Sequence, residues 1–148
     1  MKSKLIHEQA GERVFVLVFE IDDDPMTGLL DFAREQRLTA GHFTGIGAFR
    51  EATLAYFDWQ RKEYLHIPVR EQVEVLALTG DIALEKHQPK VHAHAVVGKR
   101  DGSAHGGHLI SARVRPTLEI VLTQSPSHLR RRMDSSSGLA LIDLDAIR

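Results

Sequence analysis

From residue 40 to residue 124 the chain is patterned almost without interruption as β-strand, and one helical stretch precedes it. The segments AGHFTGIGAF (40–49), EATLAYFDW (51–59), YLHIPV (64–69), QVEVLALTGDIAL (72–84), VHAHAVVG (91–98), HLISARV (108–114) and TLEIVLTQ (117–124) are rich in β-branched and aromatic residues. Such segments, bounded by turn formers, are predicted strands. An earlier segment, RVFVLVFEI (13–21), reads as a buried strand. Between them TGLLDFAREQR (27–37) places Leu29, Leu30, Phe32 and Ala33 on or near one face and Arg34, Glu35 and Arg37 on the other, with Pro25 in the first turn. That pattern predicts an amphipathic helix. Gln60–Glu63 reads as a hairpin turn and Gly80-Asp81 as a bend or bulge in a long strand. Ser125-Pro126-Ser127 reads as the start of a short helical turn running through the arginines that follow, and LALIDLDAI (139–147) as a last short strand or tail. One early helix followed by many strands predicts an α+β fold: a mainly antiparallel sheet packed with one principal helix, residues 1–148 forming a single domain.

A chain of 148 residues buries roughly 70% of the surface its unfolded form exposes, enough for a core without covalent staples. It contains no cysteine, which excludes disulfides, thiolate metal sites and cysteine nucleophiles. The formal net charge is −1, so the electrostatic case for nucleic-acid binding is weak. The basic cluster Leu129-Arg130-Arg131-Arg132 reads as the solvated end of a helix. No apolar run approaches the ~20 residues of a membrane span, and VFVLVF is too short for a secretory core. The expectation is a soluble, cytoplasmic protein. The glycines at 41, 45 and 47 and at 102, 106 and 107 match neither dinucleotide nor P-loop fingerprints.

The chemistry concentrates in HAHAVVGKRDGSAHGGH (92–108), which holds four of the nine histidines. In a strand, alternation puts His92 and His94 on one face, their Cα atoms about 7 Å apart, and Val91, Ala93, Ala95 and Val97 on the core face. Asp101-Gly102 is a strong hairpin signal. If the strands pair across it, His108 returns beside His94 or His92. Three imidazoles on one face suit zinc, which takes three protein ligands and a water. Histidines decorating an exposed sheet face would give the same spacing, so the pattern alone leaves both readings open. His105 reads as a loop residue, and His42, His66 and His87 have no partner in sequence.

Glu119 is the other unusual residue, a carboxylate in the apolar strand Thr117–Leu122. A buried carboxylate needs a partner. It is a candidate to orient a ligand histidine, or to act as general acid/base beside a metal-bound water; a solvent-facing edge position explains it too. Arg113 and Arg115 are candidate partners for Glu119 or for an anionic substrate.

The segments FTGIGAFREATLAYFD (43–58), KEYLHIPVREQVEVLALTGDIAL (62–84), VHAHAVVGKRDGSAHGGHL (91–109), RPTLEIVLTQSPSHLRRR (115–132) and GLALIDL (138–144), with His-x-His and Gly-Gly-His-Leu as the specific part, resemble the PPC domain. This is the plant- and prokaryote-conserved domain, whose bacterial and archaeal members are often labelled PD1-like DNA-binding proteins. The resemblance implies a homotrimer and a metal ion, zinc or another divalent transition metal, held by His92, His94 and His108. It also implies a fold similar to that of acetolactate decarboxylase, a zinc enzyme with its own three-histidine site. A shared fold carries no activity with it. Three functions follow as expectations: a metal-binding trimer of open activity, a DNA-binding transcriptional regulator, and a metal-dependent lyase or hydrolase acting on a small carbonyl or carboxylate compound. In plants the domain follows an Arg-Gly-Arg-Pro-type AT-hook, which this sequence lacks, and there it serves assembly and partner contacts.

Overall fold

Two long strands organise the molecule. The computed structural model describes residues 1–146. Its strands are β1 (Lys2–Gln9), β2 (Glu12–Phe19), β3 (Ala40–Asp58), β4 (Glu63–Val69), β5 (Val73–Glu85), β6 (Gln88–Gly98), β7 (Ala104–Gln124), β8 (Arg131–Met133) and β9 (Ala140–Ile142). Helix α1 spans Pro25–Glu35, and a 3-10 turn covers Leu144–Ala146. The main sheet has the order β1-β2-β7-β6-β5-β3-β4, and β7 pairs with β3 as well. All these pairings are antiparallel. The second pairing closes β7, β6, β5 and β3 into a ring. The fold is therefore the expected α+β arrangement, with its sheet curled shut.

Closure explains two departures from the sequence reading. The expected strands 40–49 and 51–59 are one strand, β3; 108–114 and 117–124 are likewise parts of β7, which begins at Ala104. Each strand stays continuous while its register slips, between Gly45 and Gly47, Gly47 and Phe49, Phe49 and Glu51, and Thr53 and Leu54. Such bulges bend and twist a strand, as a small closed sheet requires. No slip occurs at Gly80-Asp81; the irregularity of β5 lies between Val75 and Ala77. Gly80 serves close approach instead. A Cβ there would stand 2.3 Å from the His92 carbonyl oxygen and 2.4 Å from the Phe43 ring.

Alternation fills the interior. Phe15, Leu17 and Phe19 of β2, Ala93, Ala95 and Val97 of β6, and Leu118, Ile120 and Leu122 of β7 are buried, with the residues between them turned outward or partly covered. Helix α1 closes the core with Leu29, Phe32 and Ala33, and Phe32 meets Phe15 edge-on at 5.1 Å between centroids. Its start is fixed by Asp24, whose side chain accepts from the amides of Met26 (3.0 Å) and Thr27 (3.1 Å). Such a cap contributes about 1 kcal/mol.

Strand β1 has no counterpart in the sequence reading. Every one of its residues is exposed, so it carries no burial pattern to detect. The helical turn expected after Gln124 is replaced by extended chain. Ser125 and Leu129 donate their amides to the carbonyls of Ala40 and Thr39, Leu84 donates to Leu129, and β8 pairs with β9. The arginine cluster thus lies beside the end of β5. Within the segment 139–147, β9 and the 3-10 turn are the regular elements, and residue 147 lies outside the described residues.

Candidate metal centre

The β6–β7 hairpin brings the third histidine to the other two. Lys99 donates to the Ser103 carbonyl, and Gly102 adopts φ 83°, where a side chain would be strained. The register pairs Gly98 with Ala104 and His94 with His108. His92 and His94 share the outer face of β6, opposite the buried Ala93 and Ala95. His105 is in strand β7 opposite Val97, not in the loop, and is exposed.

Among the described residues, His92, His94 and His108 form a three-residue group whose ligand nitrogens all lie within 4.8 Å of one another. The Nε2 atoms of His92 and His94 are 3.2 Å apart. Two nitrogens bound tetrahedrally at zinc's 2.0–2.1 Å are separated by roughly 3.3–3.4 Å, so this pair already stands near ligand spacing. The His92 and His108 rings stack at 5.1 Å, and His94 stands edge-on to both at 5.0 and 5.3 Å. The Nδ1 atom of His108 is buried without a hydrogen-bond partner. A buried polar atom left unpaired is costly. The donor set fits a transition-metal ion.

Burial and neighbouring charge favour the neutral form of His94 and His108, the form that ligates. Burial, then the neighbouring His92, His94 and Lys90, depress His108 from 6.5 to about 4. Burial and His92 also lower His94. Tyr64 of β4 stacks on His108 at 4.7 Å and walls one side of the group. Asp81 stands opposite His92 on β5, its Oδ2 3.3 Å from His92 Nδ1. Burial pushes the Asp81 carboxyl up, but the hydrogen bonds to His92 and Arg131, with the charge of Arg131, outweigh it and hold it below its ordinary value. Carboxylate, histidine and metal in series is a recurrent arrangement that fixes a ligand's tautomer.

The structure does not bring Glu119 to this group. It lies far along β7, exposed, between Val18 of β2 and Ile46 of β3. Arg113 donates to the Asp22 carbonyl at 3.3 Å rather than to Glu119, and Arg115 is exposed beside Pro116. His42 lies on β3 opposite Asp81 but is outside the three-histidine group. Asp81, Tyr64 and Arg131 escaped the sequence reading. The signal for Asp81 is present: a two-residue turn at Lys86-His87, counted back, sets Asp81 opposite His92.

The fold and site together define a curled antiparallel sheet with one capping helix and three converging histidines on its outer face. The chain belongs to the Plants and Prokaryotes Conserved (PCC) domain family, which matches residues 6–126. It is similar to the crystal structure of a candidate DNA-binding protein from Bacteroides thetaiotaomicron, with 29% identity, a TM-score of 0.86, and coverage of 97% of this chain and 98% of that one. A metal-containing protein from Archaeoglobus fulgidus is 32% identical, with a TM-score of 0.81 and coverage of 96% and 99%. The α-acetolactate decarboxylase of Bacillus subtilis shares the fold alone, at 10% identity and a TM-score of 0.54, over 74% of this chain and 51% of that one. No curated protein matches the chain at a significant level.

Proposed function

We propose that this chain is a metal-binding protein in which His92, His94 and His108 hold one divalent transition-metal ion, with zinc the best fit and water in the remaining position. The observation that carries the reading is the convergence of three imidazole ligand atoms within 4.8 Å, with a carboxylate behind one of them. The similar metal-containing protein from Archaeoglobus fulgidus supports it. Zinc held by three histidines lowers the pKa of its bound water and polarises carbonyl oxygens. The exposure of His94 leaves the site open to a small molecule. This reading gives Glu119 no acid/base role at the site.

The protein works as a homotrimer in the cytoplasm. The resemblance to the PPC domain supports the trimer, as does a set of exposed apolar residues on the outer face of the sheet: Ile46 (64%), Leu76 (55%), Val96 (41%) and Val121 (48%). Apolar groups clustered on a surface mark association sites. Among the described residues no helix is long and apolar enough to cross a membrane.

Elemental analysis combined with native mass determination tests the proposal. The expected result is about one zinc per chain in a trimer, with the metal lost from the His92→Ala/His94→Ala variant. Wild-type protein, prepared without chelators and supplied with zinc, that retains none would overturn it.

DNA binding is the second reading, supported by the similarity to the Bacteroides protein. Duplex affinity with a steep salt dependence is its signature.

A further inference from the structure

The arginine cluster that read as a solvated helix end contains a buried member. The Arg131 side chain is 7% exposed, and its Nη2 donates a short hydrogen bond to Asp81 Oδ1. Its Nη1 donates to the Ala140 carbonyl at 3.0 Å. The guanidinium therefore ties β5 to β9, across the second, small sheet. The other oxygen of Asp81 faces His92 Nδ1 at 3.3 Å, and His92 Nε2 faces His94. An unbroken line runs from the C-terminal hairpin through Arg131, Asp81 and His92 to the candidate metal position.

We propose that Arg131 is a positioning residue, which fixes the Asp81 carboxylate and through it the tautomer and orientation of His92. The inference rests on the metal-centre reading above. An ionised carboxylate only accepts hydrogen bonds. With Oδ1 engaged by Arg131, Oδ2 is aimed at His92, whose Nδ1 must carry the proton. The lone pair is then on Nε2, on the side of His94 and the ion. Without Arg131 the carboxylate is free to turn about its last torsion, and His92 is no longer obliged to present Nε2. The β8–β9 hairpin, which contributes none of the three histidines, thereby becomes part of the site.

Two readouts test this. In the first, zinc affinity is measured by competition with a chromophoric chelator for wild type, Arg131→Met, Arg131→Lys, Asp81→Asn and the Arg131→Met/Asp81→Asn double variant. Loss of such an outer partner weakens a metal by about 10- to 100-fold. Arg131→Met and Asp81→Asn are each expected to fall in that range, the double variant no lower than the worse single, and Arg131→Lys nearer wild type. A folded Arg131→Met with wild-type affinity, or two losses that multiply in the double variant, would overturn the role. In the second readout, nitrogen-15 imidazole spectra of the zinc-free proteins at pH 8 report the tautomer of His92. The Nδ1–H form should dominate in wild type and give way to a mixture in Arg131→Met and Asp81→Asn. An unchanged tautomer overturns the proposal. If Arg131→Met does not fold, Arg131→Gln, which lacks the charge and the guanidinium fork, takes its place in both measurements with the same expected losses. If wild type binds no zinc, the metal-centre reading fails, while the tautomer comparison still decides the role of Arg131.

Discussion

Asp81 and His92 face each other directly across the β5–β6 hairpin, carboxylate Oδ2 to imidazole Nδ1 at 3.3 Å. The turn enforces the pairing. Lys86 and His87 both adopt positive φ, 49° and 66°, and Glu85 pairs with Gln88. Tight turns of this kind match the twist of the flanking strands and leave the register no freedom. From there to Asp81 the ladder is unbroken, so one local turn delivers a carboxylate to the back of a metal-ligating ring.

The three histidines should differ sharply from the fourth in the same stretch. His108→Ala removes a ligand and is expected to weaken zinc by at least 100-fold. His105→Ala is expected to leave affinity within about twofold, since His105 points elsewhere from an exposed strand position. Isothermal titration of zinc into both variants checks this. The ligand count sets the magnitude.

Acid should destabilise the zinc-free protein. His108 titrates near 4 in the fold and near 6.5 when unfolded. Between those values the unfolded chain binds the extra proton, so stability is full above about pH 6.5 and is lost as the pH falls towards 4. Melting temperatures of the zinc-free protein across that window should decline, and His108→Leu should flatten part of the decline. In zinc-loaded protein the same protons compete with the ion.

Gly80→Ala should be severe for a single methyl group. Its Cβ would meet the His92 carbonyl oxygen at 2.3 Å and the Phe43 ring at 2.4 Å. Neither can yield cheaply, because one is backbone and the other is a fully buried core ring. Overpacking of this kind costs about 1–3 kcal/mol or more. Urea denaturation should show the loss, and a variant as stable as wild type would mean that β5 and β6 separate more readily than the geometry allows.

Nonspecific duplex binding should be feeble. Of the three arginines in the only basic cluster, Arg131 is buried against Asp81, and Arg132 stands 3.3 Å from the Asp143 carboxylate. That leaves Arg130 and the exposed, already ion-paired Arg132 to meet phosphates, and the net charge is −1. Phosphate contacts supply most of nonspecific affinity. Fluorescence anisotropy with a labelled duplex at 50 mM salt should show no saturable binding at micromolar protein; a salt-dependent nanomolar isotherm would restore the DNA reading.

The helix and most strands were legible because their signals are local. Pro25 opens α1, and its apolar residues repeat at helical spacing; Ala93, Ala95 and Val97 alternate as one buried face must. Strand β1 was invisible because it buries nothing. The join of 40–49 to 51–59 was invisible because a bulge looks like a break until a partner strand is seen to run past it. His92 and His94 were legible as a pair by alternation, and Asp101-Gly102 supplied the turn that returns His108.

By itself, then, the sequence determined which faces of the core strands are apolar, the turns at Gln60–Glu63 and Asp101-Gly102, and that His92, His94 and His108 flank the second of these. These depend on residues close along the chain, where strand period and turn chemistry act directly. Only the tertiary structure decided that β7 closes back on β3, that Glu119 lies away from the histidines, and that Arg131 is buried behind Asp81. Those outcomes join residues far apart in the chain. They are set by the curl of the whole sheet and by where the C-terminal hairpin docks, and no local pattern encodes either.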